Sequence, residues 1–209
     1  MRIAVIDSGI HFRHPHVGRV AGSVHFTADG EGGDPVDRLG HGTAVAAAIR
    51  EKVPAADLFA VKVFDRRLSV NIAAILRALA WCRAERMDAI NLSLGTTNEE
   101  HRAPLLDAIA DNGIVIGAAH LLPGGLPGVV SVAADESCPR DSFRRQGETF
   151  LASPYPRPIP GVPPSRNLHG VSFAVANMTG FVARALEAFP REQLMVQLIG
   201  ISDEVIART

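Results

Sequence analysis

Short apolar runs alternate along the chain with segments whose apolar residues recur at helical spacing. Five runs rich in β-branched residues predict buried strands at residues 3–6, 58–64, 89–94, 114–119 and 129–134. Helical spacing predicts helices over residues 44–49, 72–86, 105–112, from 172 onward, and 192–205. This alternation predicts an α/β protein with a mainly parallel sheet and helices on both of its faces.

Two segments interrupt the alternation of strands and helices. Residues 11–39 are polar and rich in glycine, and they predict a loop region. Residues 139–168 hold six prolines between Pro154 and Pro164, which predicts an extended, irregular path over the surface. The second segment is not a flexible Gly/Ser linker, and the chain shows no internal repeat or domain boundary, so residues 1–209 are predicted to form one domain.

The last predicted helix is amphipathic. Its apolar positions Leu194, Val196, Leu198 and Ile201 predict a face that packs back on the domain. A helix that binds a partner is the alternative.

Composition narrows the class of partner. The chain has 209 residues, a net charge of -1 and no basic run, so it lacks the charge pattern of a nucleic-acid-binding protein. No apolar run is long enough to cross a membrane, and residues 1–6 are too short for a signal-peptide core. We therefore expect a cytoplasmic protein with a peptide or protein partner; the composition predicts no oligomeric state.

The two cysteines, Cys82 and Cys138, lie in a helical pattern and in a loop-like stretch. This placement favours neither a disulfide framework nor a metal site, and it agrees with a reducing compartment.

Three residues with complementary chemistry lie at predicted element ends. Asp7 follows the first strand, while His41 and Ser172 each begin a helix. Acyl transfer requires a hydroxyl nucleophile, a base with a pKa near 7, and an acid that orients the base. A simpler interpretation of Ser172 is a helix N-cap.

The segments around these residues resemble the signatures of the subtilisin-like serine proteases, the subtilase family. They read Val-Ile-Asp-Ser-Gly-Ile at 5–10, Gly-His-Gly-Thr at 40–43 and Gly-Val-Ser-Phe-Ala at 170–174. Their order, Asp then His then Ser, is that of subtilisin. Residues 14–17 and 90–95 also resemble family segments, so the resemblance extends over nearly the whole chain.

The resemblance implies a three-layer subtilisin-like fold and a serine endopeptidase that needs no cofactor. Ser172 would attack the scissile carbonyl, His41 would accept its proton, and Asp7 would orient His41. The substrate would lie extended beside Ser93, Leu94 and Gly95. Asp37 matches a frequent acidic position of the family, and a solvated loop charge is the alternative.

The chain departs from the family at the oxyanion asparagine. Our alignment places Leu121 at that position, directly after His120. Removing one oxyanion donor typically costs about 3 kcal/mol, on the order of a hundredfold to a thousandfold in turnover. His120 is one candidate replacement, and a displaced Asn167 or Asn177 is another.

Two further departures concern regulation. Residues 51–57 form a shorter connection than the family's calcium-binding loop, so we expect no calcium there. Because six residues precede Asp7, we also expect no inhibitory propeptide of the kind that secreted relatives carry. These features favour a slow, dedicated processing protease; the alternative is a non-catalytic or weakly active homologue that binds a peptide or protein.

Overall fold

One mostly parallel sheet runs through the protein, seen in a computed structural model that describes residues 1–27 and 30–207. In that part of the chain the strands are β1 Arg2–Asp7, β2 Gly22–Phe26, β3 Glu31–Gly32, β4 Asp57–Lys62, β5 Ala89–Leu92, β6 Ile114–Ala118, β7 Val130–Ala134, β8 Phe143–Gln146 and β9 Thr149–Ala152. Their order across the sheet is β3-β2-β4-β1-β5-β6-β7-β9-β8. Among these strands of the described residues, the pairs β2–β3 and β8–β9 are antiparallel, and each forms one edge.

Helices cover both faces of the sheet. They are α1 His41–Lys52, α2 Ile72–Ala84, α3 Arg102–Ile109, α4 Val171–Ala188 and α5 Leu194–Ala207. Buried residues of α1, α4 and α5 belong to one hydrophobic cluster, and those of α2 and α3 belong to a second. None of the helices in the described part of the chain is long and apolar enough to span a membrane.

The sequence of β1 explains how the two clusters divide. Ile3 and Val5 belong to the first cluster, and Ala4 and Ile6 to the second, because successive side chains of a strand point to opposite faces. All four are fully buried, as the continuous apolar run predicts. The predicted three-layer α/β architecture is confirmed; the assignment of residues 1–209 to one domain stays a prediction.

Helix α4 belongs to the layer of helices α1, α4 and α5, whose buried residues form the first hydrophobic cluster. Residues 173–183 are all buried, since small or apolar side chains occur on every side of the helix. Met178 is fully buried among them. Helix α4 packs against α1, so the helices that carry Ser172 and His41 support each other.

The prediction of a loop over residues 11–39 is wrong in part. Strand β2 pairs in parallel with β4, and β3 pairs with β2 at the sheet edge. The pattern does not reveal β2 because this near-edge strand is short and most of its residues are only partly buried.

The irregular path predicted for residues 139–168 is also wrong in part. Strands β8 and β9 form an antiparallel hairpin there, and β9 continues the sheet beside β7. The arginines Arg144 and Arg145 obscure the apolar signal of β8, in which only Phe143 is fully enclosed.

The predicted apolar face of the last helix packs on the domain only in part. Leu194 and Leu198 are buried in the first cluster, whereas Val196 and Ile201 are exposed. Cys82 and Cys138 are buried free thiols.

Candidate active site

Asp7 and His41 meet at the carboxyl end of β1. Asp7 is the last residue of this central strand and is fully buried, and His41 is the first residue of α1. His41 Nδ1 lies 2.8 Å from Asp7 Oδ1, which also accepts a 2.7 Å hydrogen bond from the Ser8 amide. Asp7 Oδ2 is buried and has no partner among the described residues. Both residues lie at the ends of the elements that the sequence predicts for them, and their catalytic roles stay predictions.

The environment of His41 favours its charged form. Burial lowers the pKa of His41, but the hydrogen bond and charge of Asp7, together with the charge of Asp37, outweigh burial and raise it above its ordinary value. The imidazole also lies against Phe173, with ring centroids 5.4 Å apart. A base in this setting can accept a proton and hold it beside a fixed carboxylate.

Asp37 organises the loop that leads into α1. Its Oδ1 accepts hydrogen bonds from Ser8 Oγ at 2.8 Å and from the amides of Leu39 and Gly40 at 2.9 Å each. Its Oδ2 accepts from the amide and hydroxyl of Thr43. The alternative of a solvated loop charge is wrong, because both oxygens are engaged in the protein.

Ser172 is the second residue of α4 and does not cap that helix. The N-cap is Gly170, whose φ of +148° is strained for any residue with a side chain, and no side-chain hydrogen bond caps α4. The N-cap interpretation of Ser172 is thus wrong. Its amide belongs to the first turn, where N–H groups lack helical partners and the helix dipole favours negative charge.

A buried polar chain fixes Ser172 against β5. The Ser172 hydroxyl donates to the Ser93 carbonyl at 3.3 Å, and Ser93 Oγ donates to the Ser172 carbonyl at 3.1 Å. Asn91 Nδ2 donates to Ser93 Oγ at 2.8 Å, and the Thr179 hydroxyl lies 3.0 Å from Asn91 Oδ1. These reciprocal contacts hold the start of α4 beside the end of β5.

A cavity of about 330 Å³ lies beside both His41 and Ser172. His41 and Ser172 both line it, together with Ser93, Leu94 and Gly95, the residues predicted to bind substrate. His101 also lines this cavity, although its sequence position on a short 3₁₀ turn gave no signal. The structure thus brings the three triad candidates and the predicted substrate strand together.

Comparison with known proteins identifies the family. A profile described as the subtilase family, peptidase S8, matches residues 1–134. The chain belongs to the subtilase family. A thermostable alkaline protease of Halalkalibacterium halodurans is 32% identical over 218 residues, which cover 90% of this chain and 57% of that protein. Subtilisin E of Bacillus subtilis is 31% identical over 202 residues, covering 86% of this chain and 51% of its own length.

This subtilase therefore spans about half the length of those curated relatives. Two solved structures share its fold. A cold-adapted subtilisin-like serine proteinase has a TM-score of 0.71 at 19% identity, covering 95% of this chain and 79% of its own. The prenylagaramide maturation protease PagA has a TM-score of 0.66 at 23% identity, covering 94% of this chain and 76% of its own.

The candidate replacements for the oxyanion asparagine of the subtilases lie in different surroundings. His120 is exposed on the turn after β6 and lies outside the cavity lined by Ser172. Leu121 packs beside Gly95, where a Cβ added to the glycine would lie 2.6 Å from that of Leu121. The role of His120 stays a prediction.

The two asparagines have other partners. Asn177 is fully buried, donates to the carbonyls of Ser153 and Tyr155, and accepts a 2.6 Å bond from Lys52 Nζ. Asn167 donates to the Arg157 carbonyl.

In the described part of the chain, no three His, Cys, Asp or Glu side chains are grouped to hold a metal ion. The predicted lack of calcium stays a prediction.

Proposed function

We propose that this subtilase is a serine peptidase that hydrolyses peptide bonds through an acyl-enzyme. The observation that carries the proposal is the 2.8 Å contact between Asp7 and His41, at the wall of a cavity that Ser172 also lines. A buried carboxylate beside an imidazole with a raised pKa is the arrangement that general-base catalysis requires.

Ser172 Oγ attacks the scissile carbonyl, and its proton passes to His41 Nε2. The resulting imidazolium is stabilised by Asp7, then protonates the leaving amine; water repeats the sequence to release the acyl group. The Ser172 hydroxyl must first turn away from the Ser93 carbonyl. That carbonyl then becomes free to accept an N–H of an extended substrate beside residues 93–95.

The oxyanion is stabilised by the Ser172 amide at the start of α4. His120 is a second donor only if its turn moves toward Ser172, since it is exposed outside the cavity. Turnover is therefore expected to be slow compared with a subtilase that has the asparagine.

The substrate is a peptide or protein, and a dedicated processing role in the cytoplasm fits slow turnover. The similarity of fold to a protein named as a maturation protease supports this role by analogy alone.

A second candidate function is peptide binding without catalysis. The observation that favours it is that the Ser172 hydroxyl is bonded to Ser93 and not to His41. Nucleophile–base hydrogen bonds are often looser without substrate, so the peptidase function remains the one that the geometry supports best.

Labelling with a fluorophosphonate probe, followed by peptide mapping, tests the two functions. We expect an adduct on Ser172 in the parent, none in Ser172→Ala, and strongly slowed labelling in His41→Ala. Ser165→Ala is the control, because Ser165 is exposed on another surface turn. If the folded parent forms no adduct on Ser172, the peptidase proposal fails and peptide binding is favoured.

A further inference from the structure

The cavity beside Ser172 is lined by both apolar and polar side chains. Outside the triad and the substrate strand, its apolar residues are Phe64, Leu68, Val70, Ile72 and Ile75. These side chains favour the aliphatic part of a substrate side chain. The polar residues are Ser69, Thr96 and His101, and of these three only His101 carries an imidazole.

The hydrogen bonding of His101 decides what its imidazole presents to the cavity. Nδ1 of His101 is buried and has no hydrogen-bond partner. A buried N–H without an acceptor is costly, so the proton of the neutral ring belongs on Nε2, which is not enclosed. Because His101 lines the cavity, this nitrogen is the ring's available donor.

A donor beside apolar side chains selects a matching acceptor on the ligand. The residues that line the cavity include no Lys or Arg, and His41 must be neutral to act as a base, so in the reactive state a carboxylate would lose its hydration there without an opposite charge. A neutral amide pays a smaller desolvation cost and accepts the bond through its oxygen. Its aliphatic stem would pack on the apolar side chains.

We propose that His101 is a specificity-determining residue that selects, near the scissile bond, a substrate side chain with a neutral amide, above all glutamine. This inference rests on the proposed peptidase function. A substrate extended beside residues 93–95 sends alternate side chains to one face, and a side chain on the cavity face can reach His101. The bond adds to binding only when the side chain carries an acceptor.

Paired peptides that differ by Gln and Met test the proposal, since the two side chains have similar length but only Gln carries an acceptor oxygen. A peptide that the parent cleaves is obtained by mapping its cleavages in casein. Each position flanking the cleaved bond is then made Gln or Met, and kcat/KM is measured. We expect one position at which the parent prefers Gln about fivefold to tenfold.

Three variants show whether His101 causes this preference. His101→Leu is expected to lower the Gln-to-Met ratio to about one, and His101→Asn, which keeps an N–H donor, to retain part of it. His14→Leu is the matched control, because His14 lies on a loop outside the cavity and should keep the parent's ratio. His101→Leu should melt at the parent's temperature or higher, because it removes a buried nitrogen that has no partner.

The outcomes separate this inference from the function on which it depends. A parent that cleaves peptides with no Gln preference, or a preference unchanged in His101→Leu, overturns the role of His101 alone. A folded parent that neither cleaves casein nor labels at Ser172 overturns the peptidase function, and this inference with it.

Discussion

Asp37 accepts two hydrogen bonds from Thr43, one from its amide at 2.9 Å and one from its hydroxyl at 2.6 Å. The N-cap residue of α1, Gly40, offers no side-chain bond to the helix. Asp37 therefore acts in place of an N-cap side chain, because it accepts the Thr43 amide in the first turn of α1. In the same turn, Ser8 Oγ accepts a hydrogen bond from the Gly42 amide at 3.0 Å. Since Ser8 also donates to Asp37, the start of α1 is tied to the end of β1. This tie lies beside the contact between Asp7, the last residue of β1, and His41, the first residue of α1.

The charge of Asp37 should be visible in the pH dependence of activity. Asp37 contributes to the raised pKa of His41, so Asp37→Asn is expected to lower that pKa. His41 must be neutral to accept a proton, and a lower pKa lets it lose its charge at a lower pH. The acid limb of kcat/KM against pH should thus move to lower pH, although the loss of acceptor sites should also reduce the rate.

Asp34→Asn is the matched control for this profile. Asp34 lies in the same loop but bonds to Arg38 and the Val36 amide, and it does not affect His41. An acid limb at the same pH in Asp37→Asn and the parent would limit Asp37 to holding the loop.

Lys52 should make stability depend on pH in the alkaline range. Burial, followed by the charge of Arg140, lowers the pKa of Lys52 to about 8, against partial compensation by Glu51. An unfolded lysine keeps its proton up to about pH 10.4. Between these values the unfolded chain binds more protons, so the free energy of unfolding gains a contribution that rises with pH, by on the order of 3 kcal/mol in all.

Lys52→Met isolates that contribution. Denaturant unfolding of the parent and the variant between pH 7 and 10.5 should show the parent gaining stability relative to the variant as the pH rises. Other titrating groups are common to both proteins and cancel in the difference. Parallel curves over this range would mean that folded Lys52 titrates at its ordinary pH.

The sequence predicts the parts of the site whose chemistry lies in short segments. Asp7, His41 and Ser172 each stand within a contiguous signature, and their strands and helices have strong apolar patterns. The tie between Asp37 and β1 was not predictable, because it runs through Ser8, which is 29 residues away in the sequence. The role of His101 was not predictable either, since only the fold brings its short turn to the cavity.

The edges of the sheet escaped prediction for a related reason. A strand at or near an edge is covered incompletely, so its sequence can contain polar residues that weaken the alternating signal. Arg144 and Arg145 in β8, and His25 in β2, are residues of this kind.

Gly42 lets α1 approach β1, so its replacement should be costly. A Cβ at this position would lie 2.2 Å from the Gly9 carbonyl oxygen and 3.1 Å from Asp7 Cβ. Gly42→Ala should lower the free energy of unfolding by about 1–3 kcal/mol and reduce kcat/KM, because the clash displaces the Asp7–His41 pair.

Gly200→Ala is the control. Gly200 lies in α5 with nothing near its Cβ position, and its change should raise helix stability by about 0.5–1 kcal/mol. Equal effects of the two variants on unfolding would contradict the close approach.

Thr179 should affect catalysis from the interior of α4, two turns beyond Ser172. Its buried hydroxyl contacts Asn91 Oδ1, and Asn91 in turn donates to Ser93 Oγ, which donates to the Ser172 carbonyl. Thr179→Val keeps the side-chain shape but removes the hydroxyl that contacts both Asn91 Oδ1 and the Val175 carbonyl, so we expect a loss of about 1–3 kcal/mol in stability by denaturant unfolding. The freed Asn91 and Ser93 should also hold Ser172 less firmly, which slows its labelling by a fluorophosphonate. Val182→Thr, in the same buried part of the helix, is the comparison for a polar change away from this chain of bonds. If Thr179→Val loses stability but labels at the parent's rate, the chain of bonds stabilises the fold without positioning Ser172.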